Sequence, residues 1–185
     1  MTLPQLISQN AWYTAKRALA YLIDCCIAFS TMILVIQWLV LSQLRPYLGL
    51  DDAWLNDSIH LEMYVLLTIS LPVWFYFTVL DSSLSKGTPG KRIMHISVVH
   101  QDGAARIDWK QNLLRTGLKL LPWELTHLGI AFPTPLYYDE NPTLRLLLFV
   151  AMLLLLVYFY WILFSKNRQS PYDRMLHTRV NEVTA

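Results

Sequence analysis

The chain has 185 residues, 55% of them apolar, with seven tryptophans and a net charge of only +2. Together with a positive mean hydropathy, this excludes an ordinary soluble domain, and the small net charge carries no nucleic-acid signature. The chain reads as one all-α membrane domain over residues 1–185, a four-span helical bundle with spans at 18–42, 61–80, 118–138 and 144–164. Residues 81–117 and 165–185 are expected to be cytoplasmic.

The N-terminus lacks the charged start and cleavage site of a signal peptide, so the first span is expected to stay as an anchor. That span begins at Arg17 and carries Asp24. Cys25 and Cys26 follow inside the same apolar run and read as small apolar residues, since no metal-ligand spacing surrounds them. The second span holds Pro72, which predicts a kink.

Lys and Arg gather in three places: Lys16 and Arg17; Lys86 to Lys119; and Lys166 to Arg179. The intervening segments 43–62 and 138–145 are acidic, with Asp51, Asp52, Asp57, Glu62, Asp139 and Glu140. The positive-inside rule therefore puts the basic clusters and both termini in the cytoplasm. An even number of crossings then requires a span within 118–138, although Arg115, Lys119, Glu124, His127, Pro122, Pro133 and Pro135 make that stretch a poor one. It is expected to be kinked or re-entrant, preceded by an amphipathic surface helix over Lys110 to Leu121. Leu113, Leu114, Gly117, Leu118 and Leu121 share one face of that helix. Gln111, Asn112, Arg115, Thr116 and Lys119 share the other.

Between spans two and three, Ile93 to Val99 is β-rich and Asp102-Gly103 offers a turn before Ala104 to Ile107. A short cytoplasmic β-hairpin is expected there. No internal repeat is visible.

Asp24 is the first functional suspect, because a carboxylate at membrane depth faces a partner, a cavity or an ion path. Arg17 lies on nearly the same helix face, but about 10 Å of rise separates the two and direct pairing is marginal. Asp24 is expected to take part either in a buried structural network, with Arg115, Lys119, His127 or Arg174 as partners, or in an ion or proton pathway. Glu124 and His127, three residues apart, share a helix face and form either a self-satisfied polar pair or a protonatable or substrate-contacting one. A metal site would need further donors, so none is expected, and no cofactor. Gly87-Thr88-Pro89-Gly90-Lys91 fails the phosphate-loop spacing and reads as a turn leading basic residues to anionic headgroups. No enzyme motif is present.

Several pieces in order, Lys16-Arg17-Ala18 with Ile23-Asp24, Gly87 to Arg92, Ser97-Val98-Val99 to Asp102-Gly103, Leu114-Arg115, and Tyr172-Asp173-Arg174-Met175-Leu176-His177-Thr178, resemble the RDD family of small membrane proteins. The resemblance covers residues from about 12 to 181. It implies that the family's arginine and aspartates are Arg17, Asp24 and Asp173, with Asp81 competing for the last place. One departure is His177, where the family usually has a glycine. The resemblance also implies a membrane location and a role in transport of unspecified ligands, with cation/proton antiport proposed for some members.

The leading expectation is a transporter-like protein of the bacterial inner membrane, in contact with anionic headgroups at the cytoplasmic face. It would move a cation, proton or small solute by way of Asp24, Glu124 and His127, as a homo-oligomer. Arg17, Lys91, Arg115, Asp173 and Arg174 would form a charged cytoplasmic cluster. The alternative is a non-transporting scaffold or assembly partner in a larger membrane complex.

Overall fold

The computed structural model describes residues 3–102, 106–132, 145–165 and 167–183, with residues 3–9 as helical backbone alone. The first helix, α1 (Leu3–Thr31), runs without a break into π-helical Met32–Leu41 and α2 (Ser42–Leu48), and Gly49 at φ +67° ends the run. The helix that carries the expected span 18–42 therefore extends beyond it at both ends. Its polar start continues the helix because Asn10 is buried and donates to the Leu163 and Ser165 carbonyls at 2.9 and 3.0 Å.

Two of the acidic loop residues act as helix caps. Asp51 accepts from the Trp54 N–H to start α3 (Asp52–Leu55), and Asp57 accepts from the Ile59 and His60 N–H groups to start α4 (Ser58–Val65). A π-helical turn, Leu66–Ser70, joins α4 to α5 (Leu71–Asp81). It stands just before Pro72, which lacks the N–H that would continue the regular ladder. Among the described residues, Asn10–Leu48, Ser58–Asp81 and Leu146–Phe164 are long and apolar enough to cross a membrane.

Short helix α6 (Pro89–Ile93) leads into β1 (Ile96–His100), then come α7 (Trp109–Ala131), α8 (Leu146–Phe164), α9 (Pro171–Met175) and β2 (Thr178–Glu182). The chain divides into two compact units. One comprises Met1–Cys26, Phe75–Lys119 and Leu155–Ala185; the other comprises Ile27–Trp74 and Leu120–Leu154.

In the first unit, β1 pairs antiparallel with β2, Ile96 to Glu182 through His100 to Thr178. The main partner of β1 is thus the distant C-terminal strand, and the expected local hairpin is present as one antiparallel bridge. A single bridge, Val99 to Arg106, is all that joins β1 to the following segment among the described residues, and residues 103–105 of the expected turn lie outside them. The C-terminal strand prevails because it offers five paired residues and brings Val180 against Val98, both buried with Tyr13, Ala20, Ile96, Ile107 and Ile162. Tyr13 ties this sheet to α1 by donating its hydroxyl to the Val180 carbonyl.

The two strand-forming segments are also repeats of each other. Thr88-Pro89-Gly90-Lys91-Arg92-Ile93-Met94-His95-Ile96 and Ser170-Pro171-Tyr172-Asp173-Arg174-Met175-Leu176-His177-Thr178 both fold as a proline-started short helix, a histidine with positive φ (53° and 50°) and a strand. Their burial patterns match position by position. The register is centred on Val98 opposite Val180, which are themselves equivalent, so the pairing obeys a local twofold relation. His177, where the family pattern has glycine, carries the left-handed turn that glycine would favour.

The α7 helix inverts the expected amphipathic surface helix. Asn112, Arg115 and Thr116 are fully buried, whereas Leu113, Leu114 and Leu121 are exposed. Polar groups point inward because they find partners there: Asn112, for one, donates to the Phe77 and Thr78 carbonyls at 3.0 and 2.7 Å. Leu113, Leu114 and Leu121 lie on the outside. The helix continues through Pro122 to Ala131. The remainder of the expected third span, 133–138, lies outside the described residues, as does most of the acidic loop before Arg145.

Candidate functional site

Asp24 is buried in the first unit and its carboxylate is surrounded by donors. Oδ1 accepts from the Gly90 N–H at 2.7 Å and the Tyr76 hydroxyl at 3.1 Å, and Oδ2 accepts from the Thr88 hydroxyl at 2.6 Å. The partners expected from sequence, Arg115, Lys119, His127 and Arg174, are replaced by these three. The reason lies in α6, whose third residue, Lys91, cannot accept from the backbone to complete a capping box. Asp24 instead brings an acceptor from α1 to this helix start, taking the Gly90 N–H and the Thr88 hydroxyl. Close approach makes this possible: a Cβ on Gly90 would lie 2.1 Å from the Ala20 carbonyl oxygen and 2.9 Å from the Asp24 carboxylate.

Asp173 holds the equivalent place in the second repeat and closes its own capping box with Ser170, accepting from the Ser170 hydroxyl at 2.6 Å. It also accepts from Arg17 Nη2 at 2.7 Å, Arg115 Nε at 2.8 Å and the Thr178 hydroxyl at 3.2 Å. Burial alone would raise its pKa, but Arg115, Arg17 and Ser170 bring it well below the ordinary carboxylate value. Arg17 therefore pairs with Asp173, and Asp24 and Arg17 serve separate repeats.

Asp81, at the end of α5, forms a second acidic centre. It accepts from Lys91, and Arg115 Nη1 and Lys119 Nζ each stand 3.8 Å from its Oδ2. Burial lowers the Lys91 pKa, with Asp81 acting in the opposite direction. Arg115 thus bridges two carboxylates, fully hydrogen-bonded to one through Nε and beyond hydrogen-bond reach of the other through Nη1. Arg115 Nη1 has no hydrogen-bond partner among the described residues. Lys119 Nζ sits 3.4 Å from the centre of the Phe77 ring.

Arg17, Asp24, Lys91, Arg115 and Lys119 are among the residues that line a cavity of about 100 Å³. It is several times the ~10–15 Å³ that a single water requires. Of the cytoplasmic cluster expected from sequence, Arg17, Lys91, Arg115 and Asp173 come together. Arg174 does not: it follows Asp173 on a five-residue helix and is exposed. Asp81 and Lys119 join the cluster. The four-residue spacing of Lys119 from Arg115 was the available signal, while nothing local marked Asp81 above the exposed acids.

Glu124 and His127 lie in the second unit and do meet. Glu124 accepts from the Ser70 hydroxyl at 3.0 Å and the Trp74 indole N–H at 2.8 Å, and His127 Nδ1 is 3.4 Å from the same serine oxygen. Gln37, Tyr64, Thr68 and Arg45 form another polar network in that unit. Among the described residues, no group of His, Cys, Asp and Glu is arranged to hold a metal ion.

No curated protein and no solved structure matches the chain. The sequence model described as "RDD family" matches residues 13–177, a stretch that contains Arg17, Asp24, Asp81, Lys91, Arg115, Lys119 and Asp173 together with the apolar helices. The chain is a membrane protein and belongs to the RDD family.

Proposed function

We propose that this is a transporter-like, multi-pass protein of the bacterial inner membrane that binds a small solute in the cavity of its first unit. The observation that carries this reading is Arg115, whose Nη1 is buried beside that cavity with no hydrogen-bond partner among the described residues, next to Lys119, which also lines the cavity and stands 3.8 Å from Asp81. A buried charge left short of partners is costly, so a bundle needing only stability would pair or discard it. In this reading Arg115 and Lys119 meet the solute, and Asp24 holds the loop that brings Lys91 to the cavity. Glu124 and His127 form a protonatable pair bridged by Ser70 in the other unit.

Four crossings with both termini cytoplasmic fit the same picture. Tyr13, Lys16 and Arg17 at the start of the first span bond to Val180, Glu182 and Asp173 in the tail, which supports placing both ends on one side. Three apolar spans alone would separate them, so α7 serves as the fourth, its charges turned inward. Two spans and a helix-strand motif, given twice, is also the kind of repeat on which transporters are built.

In proteoliposomes, wild-type protein is expected to couple proton movement to an imposed gradient of Na⁺, K⁺ or octanesulfonate, read by a trapped pH-sensitive dye. Lys119→Met should abolish that signal without lowering expression. No flux from wild type under any gradient would sink the transport reading. A second reading, a scaffold for a larger membrane complex, is favoured by the three neutral donors around Asp24. It expects Asp24→Asn to lower folded yield, and a stoichiometric partner to co-purify in place of flux.

A further inference from the structure

The cavity of the first unit has two unlike kinds of lining residue, charged and apolar. Among the charged ones, four cationic side chains accompany one carboxylate, Asp24, whose oxygens already accept three hydrogen bonds. Counting Asp81 and Asp173 as well, the seven formal charges sum to +1. Arg115 is 1% exposed, and its Nη1 has no hydrogen-bond partner among the described residues. The apolar part of the lining includes Leu155, Tyr158, Phe159 and Ile162 of α8. Leu155 and Phe159 line the cavity and yet are 42% and 46% exposed, on a helix apolar enough to cross a membrane. The apolar lining of the cavity therefore reaches the surface that meets lipid tails.

We propose that this cavity binds the anionic head of a single-chain amphiphile, a carboxylate, phosphate or sulfonate group, with its tail leaving past Leu155 and Phe159 into the bilayer. The proposal rests on the solute-site reading above and specifies its ligand class. Net positive charge selects an anion over a cation. Arg115 Nη1 and Lys119 Nζ supply donors that charged oxygens fill at short range. The exposed apolar lining favours a ligand that arrives sideways from the membrane, since a fully hydrated ion gains nothing from leucine and phenylalanine.

The test is native mass spectrometry of the full chain released from a non-ionic detergent, titrated with decanesulfonate, decyltrimethylammonium, methanesulfonate or inorganic phosphate. One retained decanesulfonate per chain is expected, with none of the others held comparably. Lys119→Met should weaken retention about tenfold or more, the scale of a lost hydrogen bond to a charged group, and Lys119→Arg should keep it. Leu155→Trp, at an exposed position that folding tolerates, should weaken decanesulfonate alone by narrowing the tail's exit. Equal retention of decyltrimethylammonium would overturn the charge selection. Equal retention of methanesulfonate or phosphate would replace the membrane amphiphile by a free anion, and an unchanged Lys119→Met would remove the site. Decanesulfonate retention without proteoliposome flux supports this ligand and ends the transport reading; flux without retention does the reverse.

Discussion

The α6–β1 and α9–β2 segments share a backbone and differ in charge. Each starts with a hydroxyl residue and a proline, turns on a histidine at positive φ, and contributes one strand to the sheet. At the third helical position one carries Lys91 and the other Asp173. That one difference dictates the anchoring. Asp173 caps its own helix and recruits Arg17 and Arg115, whereas Lys91 leaves its helix end open and turns to Asp81, and Asp24 comes from α1 to take the Gly90 N–H. A repeated motif thus becomes two complementary clasps, one held by arginines and one by aspartates.

Removing the acid of the second clasp should give the largest effect. Asp173→Asn leaves Arg17 and Arg115 buried without their counter-charge and is expected to destabilise by about 3–5 kcal/mol, measured as thermal unfolding in detergent. The same variant separates the clasps by pH. The folded pKa of Asp173 lies below its ordinary value of 3.8, so its contribution is complete above about pH 4 and lost as pH falls through the folded value. Wild-type stability should show that acid-side slope, and Asp173→Asn should show a shallower one.

Crowding the first clasp comes next. Gly90→Ala drives a methyl group into the Ala20 carbonyl and should destabilise by about 3 kcal/mol, even though alanine is the better helix former. Equal stability of Gly90→Ala and wild type would remove the close packing of α6 on α1. At the N-caps, Ser170→Ala should lose about 1 kcal/mol. The smallest effect should be His177→Gly, which relieves a left-handed residue with an exposed side chain. A gain below about 1 kcal/mol is expected, because glycine's greater unfolded-state entropy offsets most of the relief. A loss there would mean that the imidazole itself contributes to the fold.

The three apolar spans were legible in the sequence because uninterrupted hydropathy over a membrane's width has few other readings. The parity of the charged loops asked for a further element within 118–138, where α7 supplies a helix as far as Ala131. Its two faces were legible from the spacing, but not that Asn112, Arg115 and Thr116 would be buried, because their partners lie on other elements and leave no mark in the helix's own periodicity. The Arg17–Asp173 pair was legible only as two members of one family pattern. Its contact spans 156 positions, and no local periodicity reports such a distance. The repeat escaped notice because only proline, arginine, histidine and valine are identical across it. Its decisive positions, Gly90 against Tyr172 and Lys91 against Asp173, differ in size or charge.

The pairing of β1 with β2 also has a consequence for the order of assembly. During synthesis, Arg17, Arg115 and the β1 edge must wait in a nascent chain whose spans can already insert, since their partners lie in residues 170–182. The first unit therefore closes late, by a long-range loop closure. Until that strand arrives, two buried-to-be arginines and an open sheet edge are exposed to quality control. A lesion in the tail should then read out as loss of the whole protein.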